Sequence, residues 1–365
     1  MFEVSNSRGI TKIIFSKNNL VEILPRDNSN IIIIADSFFK KILEKISTNV
    51  FYLEPTESSK EISEVIKLLS KILKNYEELP NQIYSIGGGI IQDISGFIAS
   101  MIRRGIKWTF IPTTMASQCD SCIGSKISLN LGGIKNQLGL FYAPEEVIIL
   151  PKLLDSLPVK EYWAGFGEIM HYFLQKSNQN DINLARDYSD KLINNLKPST
   201  YLLSEVLNRS LKIKKNFIEV DEFDQFERKA LNFGHTIAHA LEYSTENKIP
   251  HGIAVLIGIK MILNYSENIK QFKTGEEIYM ILNKSLKSSY KYWNYDLDKN
   301  KLKAALLRDK KNMKNGFIRI ICPSEVDSLS RNLTDMRFLD IEVDQLLEFI
   351  LKEFVNFKKE VEYVF

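Results

Sequence analysis

The stretch that most constrains the fold is QIYSIGGGIIQDISGFIASMIRRG, residues 82–105. An apolar run of strand length meets three glycines, and apolar residues at helical spacing follow, so the segment predicts a strand, a tight turn and a helix. Gly87, Gly88 and Gly89 let a backbone approach a phosphate closely, and the helix start behind them offers free N–H groups to an anion. The motif is not G-x-G-x-x-G, and a turn that binds nothing fits it too. The helix carries Asp93 and ends in Arg103, Arg104 and Gly105. Upstream, NIIIIAD (30–36) is a β-branched run suited to a strand buried on both faces of a parallel sheet. Asp36 stands at its carboxyl end, where open α/β sheets meet ligands. Val50–Leu53 reads as another strand, and EPTESSKEISEVIKLLSKIL as an amphipathic helix capped by Ser58 or Ser59. Lys107–Ile111 is a further strand, running into Pro112-Thr113-Thr114, whose hydroxyls suit the same ligand. This alternation predicts an α/β, doubly wound, Rossmann-like nucleotide-binding domain over residues 1–155.

Residues 119–144 place Asp120, Lys126, Lys135 and Asn136 among glycines, in a stretch that reads as too irregular for a long helix or strand. Two lysines and an amide there suit a phosphorylated or carboxylated ligand. After Pro151 the character becomes mainly helical, which predicts a second domain over 156–365. Within it Phe317–Cys322 reads as a strand and Val343–Lys358 as an amphipathic helix. A net charge of +3 argues against nucleic acid or an acidic membrane as partner. The N-terminus lacks a signal-peptide pattern and no apolar run reaches transmembrane length, so a cytoplasmic protein is expected. Three cysteines give no disulfide framework; Cys119 and Cys122, though spaced C-x-x-C, read as buried thiols rather than as half a zinc site.

The chain has four histidines, and His235, His239 and His251 fall within RKALNFGHTIAHALEYSTENKIPHG, residues 228–252. His235 and His239 lie four apart in a helical pattern, so both project from one face. The pair alone suits a structural role as well as a metal. Glu168, in the apolar stretch WAGFGEIMHYF, is the candidate carboxylate, because an unpaired acid there would be costly.

Taken in order, GGGxxxD, RRG, PTT, DSxxGxK, GxKNxxGxFYxP, GExxxY, DExxxxxRKxLNFGHTxxHxxE, PHGxAV and DKK resemble the 3-dehydroquinate synthase and sugar-phosphate cyclase family over nearly the whole chain. The resemblance implies a carbon–oxygen lyase that binds NAD in its N-terminal domain and zinc (or cobalt) in its C-terminal one. It implies Glu168, His235 and His251 as metal ligands, with His239 facing the substrate phosphate instead. Lys214 and Arg228 match a carboxylate clamp. Asn232 lies one turn beyond Arg228 and just before His235, so these side chains are expected to share a face. Lys126, Asn136, His239 and one of Lys310 and Lys311 match the phosphate side, and Asp120 a polar partner of the hydroxyls or nicotinamide. Arg104 matches an arginine that reaches the phosphate of a neighbouring subunit, so a homodimer is expected. For NAD the positions carried over are Asp36, Glu57, Lys60, Gly88, Gly89, Asp93, Thr113, Thr114 and Lys135.

The implied substrate is 3-deoxy-D-arabino-heptulosonate 7-phosphate, cyclised through transient oxidation, phosphate loss, re-reduction and an aldol closure. Three positions depart from the pattern: His171 replaces a lysine, Ile253 an acid beside a ligand, and Ser125 a glycine. They bear on substrate choice, leaving cyclases of an aminated heptulosonate phosphate, sedoheptulose 7-phosphate or glucose 6-phosphate as alternatives. Retained Arg228 and Asn232 favour a substrate bearing a carboxylate. A metal-dependent alcohol or glycerol-phosphate dehydrogenase, and a non-catalytic binding relative, are the readings from other classes.

Overall fold

A computed structural model of the chain describes residues 1–25, 30–46, 49–175, 178–268, 275–308, 313–314, 316–323 and 336–362. The chain divides into two compact units, Met1–Leu157 with Lys214–Arg228, and Pro158–Ile213 with Lys229–Phe365. A single cut near residue 155 assigns residues 214–228 to the other side.

In the first unit the strands are β1 (Phe2–Asn6), β2 (Gly9–Phe15), β3 (Ile31–Asp36), β4 (Val50–Leu53), β5 (Gln82–Gly87), β6 (Lys107–Pro112), β7 (Lys126–Leu131), β8 (Ile134–Phe141) and β9 (Glu146–Ile149). Seven form one sheet in the order β1-β2-β9-β6-β5-β3-β4, parallel throughout except for β1 on β2. Ile31 to Ala35 are all buried, as expected for a parallel sheet covered on both faces. The chain leaves β3 for β4 on one side and returns to β5 on the other. That reversal opens a crevice at the carboxyl ends of β3 and β5, where Asp36 and Gly87 stand.

The segment expected to be irregular is largely a hairpin of β7 and β8. Gly132 (φ +61°) and Gly133 (φ +76°) make its two-residue turn, and left-handed φ at both positions is the hairpin geometry that glycine supplies most readily. The serine cap is also corrected. Ser58 and Ser59 lie in the turn Glu57–Lys60, and helix Ile62–Lys74 starts after Glu61 without a side-chain cap bond. The Glu61 carboxylate instead accepts from Gly132 N–H at 2.6 Å.

The second unit is mainly helical. Helices Val159–Gln175, Gln179–Ile193, His235–Ser244, His251–Asn268, Glu276–Ser288, Lys299–Arg308 and Val343–Glu362 accompany a three-stranded antiparallel sheet of Met313–Lys314, Phe317–Pro323 and Met336–Glu342. Helix Thr200–Val220 begins in this unit, and its residues from Lys214 onward belong to the first. No helix among the described residues is long and apolar enough to cross a membrane.

Candidate active site: a metal cluster and a nucleotide crevice

Glycines set the metal cluster. A Cβ on Gly167 would overlap the Gly252 carbonyl, and one on Gly252 would overlap that of Ala164, so helices Val159–Gln175 and His251–Asn268 touch backbone to backbone. Glu168 follows the first glycine and His251 precedes the second, so the crossing brings these side chains together. Gly234 (φ +83°) turns the chain into helix His235–Ser244, and its carbonyl would overlap a Cβ on Gly258. The turn puts His235 at the head of that helix.

The result is a buried carboxylate between imidazoles. Glu168 lies 3.1 Å from His251 Nε2 and 3.8 Å from His235 Nε2. One donor atom from each of these three residues falls within 4.8 Å of the others. His235 Nδ1 is 3.2 Å from the Phe233 carbonyl, which orients the ring and leaves Nε2 for a metal. His251 Nδ1 is 3.0 Å from Glu242 Oε2, giving a carboxylate–histidine relay behind the ligand nitrogen. Sequence reasoning placed Glu242 in the motif and gave it no role; only the fold brings it to His251. A two-imidazole, one-carboxylate set suits a catalytic zinc-like ion with open positions, so the donors fit the implied metal.

Without metal, Glu168 and His251 shift each other's ionisation. Burial raises the Glu168 carboxyl, but the His251 hydrogen bond and the charges of His235, His251 and His171 outweigh it and hold the group well below the carboxylate range. Burial lowers His251, yet hydrogen bonds to Glu168 and Glu242 raise it well above the usual imidazole value. The ring is flanked by carboxylates at both nitrogens while 44% of the side chain stays accessible, so the contacts decide the direction.

His239 groups with Glu242 and His251, its ring 5.8 Å from that of His235. The i,i+4 pair therefore does face one way. His171 is fully buried with its ring 4.9 Å from His235, and Ile253 is buried in the core. The single helical face expected for Arg228, Asn232 and His235 is not formed. A 3-10 turn, Glu227–Asn232, and left-handed Gly234 interrupt it, and Arg228 belongs to the first unit. Lys310 and Lys311 lie outside the described residues.

In the first unit the crevice is built by small residues. A Cβ on Gly88 would stand 2.9 Å from Thr114 Cγ2, so the glycine turn and the Pro-Thr-Thr turn pack against each other. Helix Gly89–Met101 starts directly behind. Thr113 N–H donates to the Gly87 carbonyl at 2.9 Å, and Thr114 Oγ1 to Ser117 Oγ at 2.8 Å. Asp36 caps its own turn by accepting from Phe38 N–H, and burial raises its carboxyl.

Lys60 pairs with Asp93 at 2.6 Å and donates to Asn136 Oδ1 at 2.8 Å. Burial raises Asp93 despite that ammonium. Asn136, expected on the phosphate side, thus sits with the residues expected at the nucleotide. Glu57 accepts from Asn130 Nδ2 at 2.8 Å and lies 3.8 Å from Lys135. Lys214 donates to Asp120 Oδ1 at 2.5 Å, and Lys126 pairs with Asp224 at 2.6 Å. Arg228 is buried, with Nη1 donating to the Glu222 carbonyl at 2.6 Å. Burial opposes ionisation of Asp221, but N–H groups of Gln225, Phe226 and Arg228 lower its carboxyl's pKa and brace the turn. Exposed Arg104 follows Arg103 in a turn with φ of +66° and +49°, a strained backbone that aims two cations outward.

Comparison with known proteins decides the family. The model described as 3-dehydroquinate synthase N-terminal matches residues 50–164, and that described as 3-dehydroquinate synthase C-terminal matches 165–312. The chain belongs to the 3-dehydroquinate synthase family. It is 35% identical over 315 residues to the 3-dehydroquinate synthase of Clostridium tetani, covering 83% of this chain and 81% of that one. Among solved structures it is similar to 2-deoxy-scyllo-inosose synthase complexed with carbaglucose-6-phosphate, NAD+ and Co2+, at 20% identity. The TM-score is 0.80, over 96% of this chain and 99% of that one. A 2-epi-5-epi-valiolone synthase from Streptomyces hygroscopicus with NAD+ and Zn2+ bound has 19% identity and a TM-score of 0.75, over 96% and 97%. These two likenesses show the fold, and the family membership makes the chain an enzyme of the cyclase type.

Proposed function

We propose that this enzyme converts 3-deoxy-D-arabino-heptulosonate 7-phosphate to 3-dehydroquinate and phosphate, with catalytic NAD and one divalent ion, zinc or cobalt. The observation that carries the reading is the Glu168–His235–His251 cluster with Glu242 behind it, in a member of this family. The cofactors of the two solved cyclases support the choice of NAD and metal. When bound, NAD takes up and returns a hydride while the ion polarises a carbinol or carbonyl oxygen.

The chain's own residues do the rest. Glu168, His235 and His251 hold the ion, and Glu242 fixes the His251 ring. Asp36, Glu57, Lys60, Gly88, Gly89, Asp93, Thr113, Thr114 and Lys135 bind the nucleotide. Arg228 and Lys214 meet the substrate carboxylate, Arg228 through the planar fork that suits it. Asn232 and Asp120 meet hydroxyl groups. Lys126, Lys311 and His239 serve the phosphate, with Arg104 supplied from a second copy of the chain in a homodimer. His239 offers the nitrogen that moves the proton as phosphate departs.

A second reading rests on His171, a buried imidazole beside His235, which favours a related cyclase with an altered substrate, such as an aminated heptulosonate phosphate. Phosphate release measured across a panel of heptulosonate phosphate, its aminated analogue, sedoheptulose 7-phosphate and glucose 6-phosphate tests both. The first reading expects highest kcat/KM and a carbocyclic product with the heptulosonate. Preference for another member of the panel would move the substrate and keep the mechanism.

A further inference from the structure

Three consecutive residues of the first unit each meet the turn that carries Arg228. A Cβ on Gly124 would lie 3.3 Å from Arg228 Nη2, so the backbone there runs close under the guanidinium. Ser125 Oγ donates to Glu222 Oε1 at 2.5 Å. Lys126 Nζ reaches Asp224 Oδ2 at 2.6 Å. Glu222 is the common point: its carboxylate also accepts from Ser7 N–H at 2.6 Å and Ser7 Oγ at 3.1 Å, while its carbonyl holds Arg228 Nη1. Two residues before Ser7, Ser5 N–H donates to Glu219 Oε1 at 2.8 Å.

We propose that Ser125 and Glu222 form a latch that positions Lys126 and Arg228 for an anionic substrate, with the N-terminal turn at Ser7 as its third member. The proposal rests on the reading that Lys126 and Arg228 bind the substrate's phosphate and carboxylate. Ser125 is buried, so its hydroxyl depends on Glu222. Hydrogen bonds to a carboxylate are short and strong, so three on one side chain hold it firmly. Because the Glu222 carbonyl orients the guanidinium, any drift of that residue carries Arg228 with it. Ser125, Glu222 and Ser7 are positioning residues: the two serines hold the Glu222 carboxylate, and the Glu222 carbonyl holds Arg228.

The test measures binding of heptulosonate phosphate by calorimetry, steady-state kinetics and thermal unfolding, all on the full-length enzyme loaded with zinc and NAD. Ser125→Ala should weaken substrate binding and raise KM by about tenfold, the loss expected for one hydrogen bond to a charged group. Its kcat and NAD affinity should stay within about twofold, and Ser125→Thr, which keeps the hydroxyl, should restore most of the affinity. Glu222→Gln should give a larger KM effect than Ser125→Ala. Unchanged substrate affinity in Ser125→Ala, against a wild type that binds, overturns the latch and leaves the functional reading standing. Equal losses in substrate affinity, NAD affinity and melting temperature for the Ala and Thr variants also overturn it, as a fold defect. A wild type that does not bind the substrate overturns the functional reading and the latch with it.

Discussion

Charge is arranged differently in the two units. In the first, the lysines expected at ligands each rest against a carboxylate: Lys60 on Asp93, Lys126 on Asp224, Lys135 on Glu57 and Lys214 on Asp120. In the second, one deeply buried carboxylate, Glu168, is surrounded by imidazoles, and among the described residues no lysine or arginine forms an ion pair with it. An ammonium keeps its charge, so an incoming anion there competes with an internal acid. A divalent ion displaces protons from imidazole nitrogens and is offset by the carboxylate's charge, so the second arrangement suits a cation. The first unit is thus set to exchange one anion for another, the second to trade protons for a metal.

The comparison breaks most visibly at the second unit. His235→Ala should abolish metal content by elemental analysis and lower kcat by about a thousandfold or more, since a catalytic ion loses a ligand. Full occupancy in that variant would remove the cluster from the account. Gly167→Ala should lower the melting temperature and metal content together, through overpacking worth about 3 kcal/mol where two helix backbones touch. In the first unit, Arg228→Ala should lower kcat/KM about a hundredfold, the scale of a lost charged contact, while NAD binding is retained. An unchanged value would end the carboxylate clamp.

Glu242→Gln sharpens the contrast. It should weaken metal affinity about tenfold and leave the fold intact, as loss of a carboxylate behind a ligand histidine does.

The smallest effect is on pH dependence without metal. His251 has a raised pKa in the folded chain, so its stabilising contacts are fully present below the unfolded imidazole value of 6.5 and fade as pH climbs through the raised one. Glu168 has a lowered pKa, so its contribution is present above 4.5 and fades as pH falls. Chelated protein should therefore melt highest between these values and lose stability on the alkaline side; zinc should flatten that loss. A flat alkaline limb in chelated protein would contradict the assignment.

Local pattern carried much of this. The triple glycine, the β-branched run at 31–35 and the three clustered histidines each announce a local geometry through short-range spacing, and the fold forms the strand-to-helix turn, the buried strand and the cluster of rings. Glu242 was hidden because an acid three residues after His239 reads as a solvated helix face until His251 closes on it. The hairpin at 126–141 was missed because its glycines and charges mask the alternation of Ile127, Leu129 and Leu131. Residues 214–220 continue a helix begun in the second unit and 221–228 follow as turns, and no composition change marks where their contacts transfer to the first. Contacts such as Ser125 to Glu222, 97 residues apart, have no local signature at all.

The most direct test follows phosphate release and NADH absorbance together, with heptulosonate phosphate in excess over NAD and zinc present. The account predicts many phosphates released per NAD with no accumulated NADH, and loss of both binding and turnover on chelation. NADH accumulating in step with substrate consumed, without phosphate, would contradict it and make the chain a dehydrogenase on a cyclase fold.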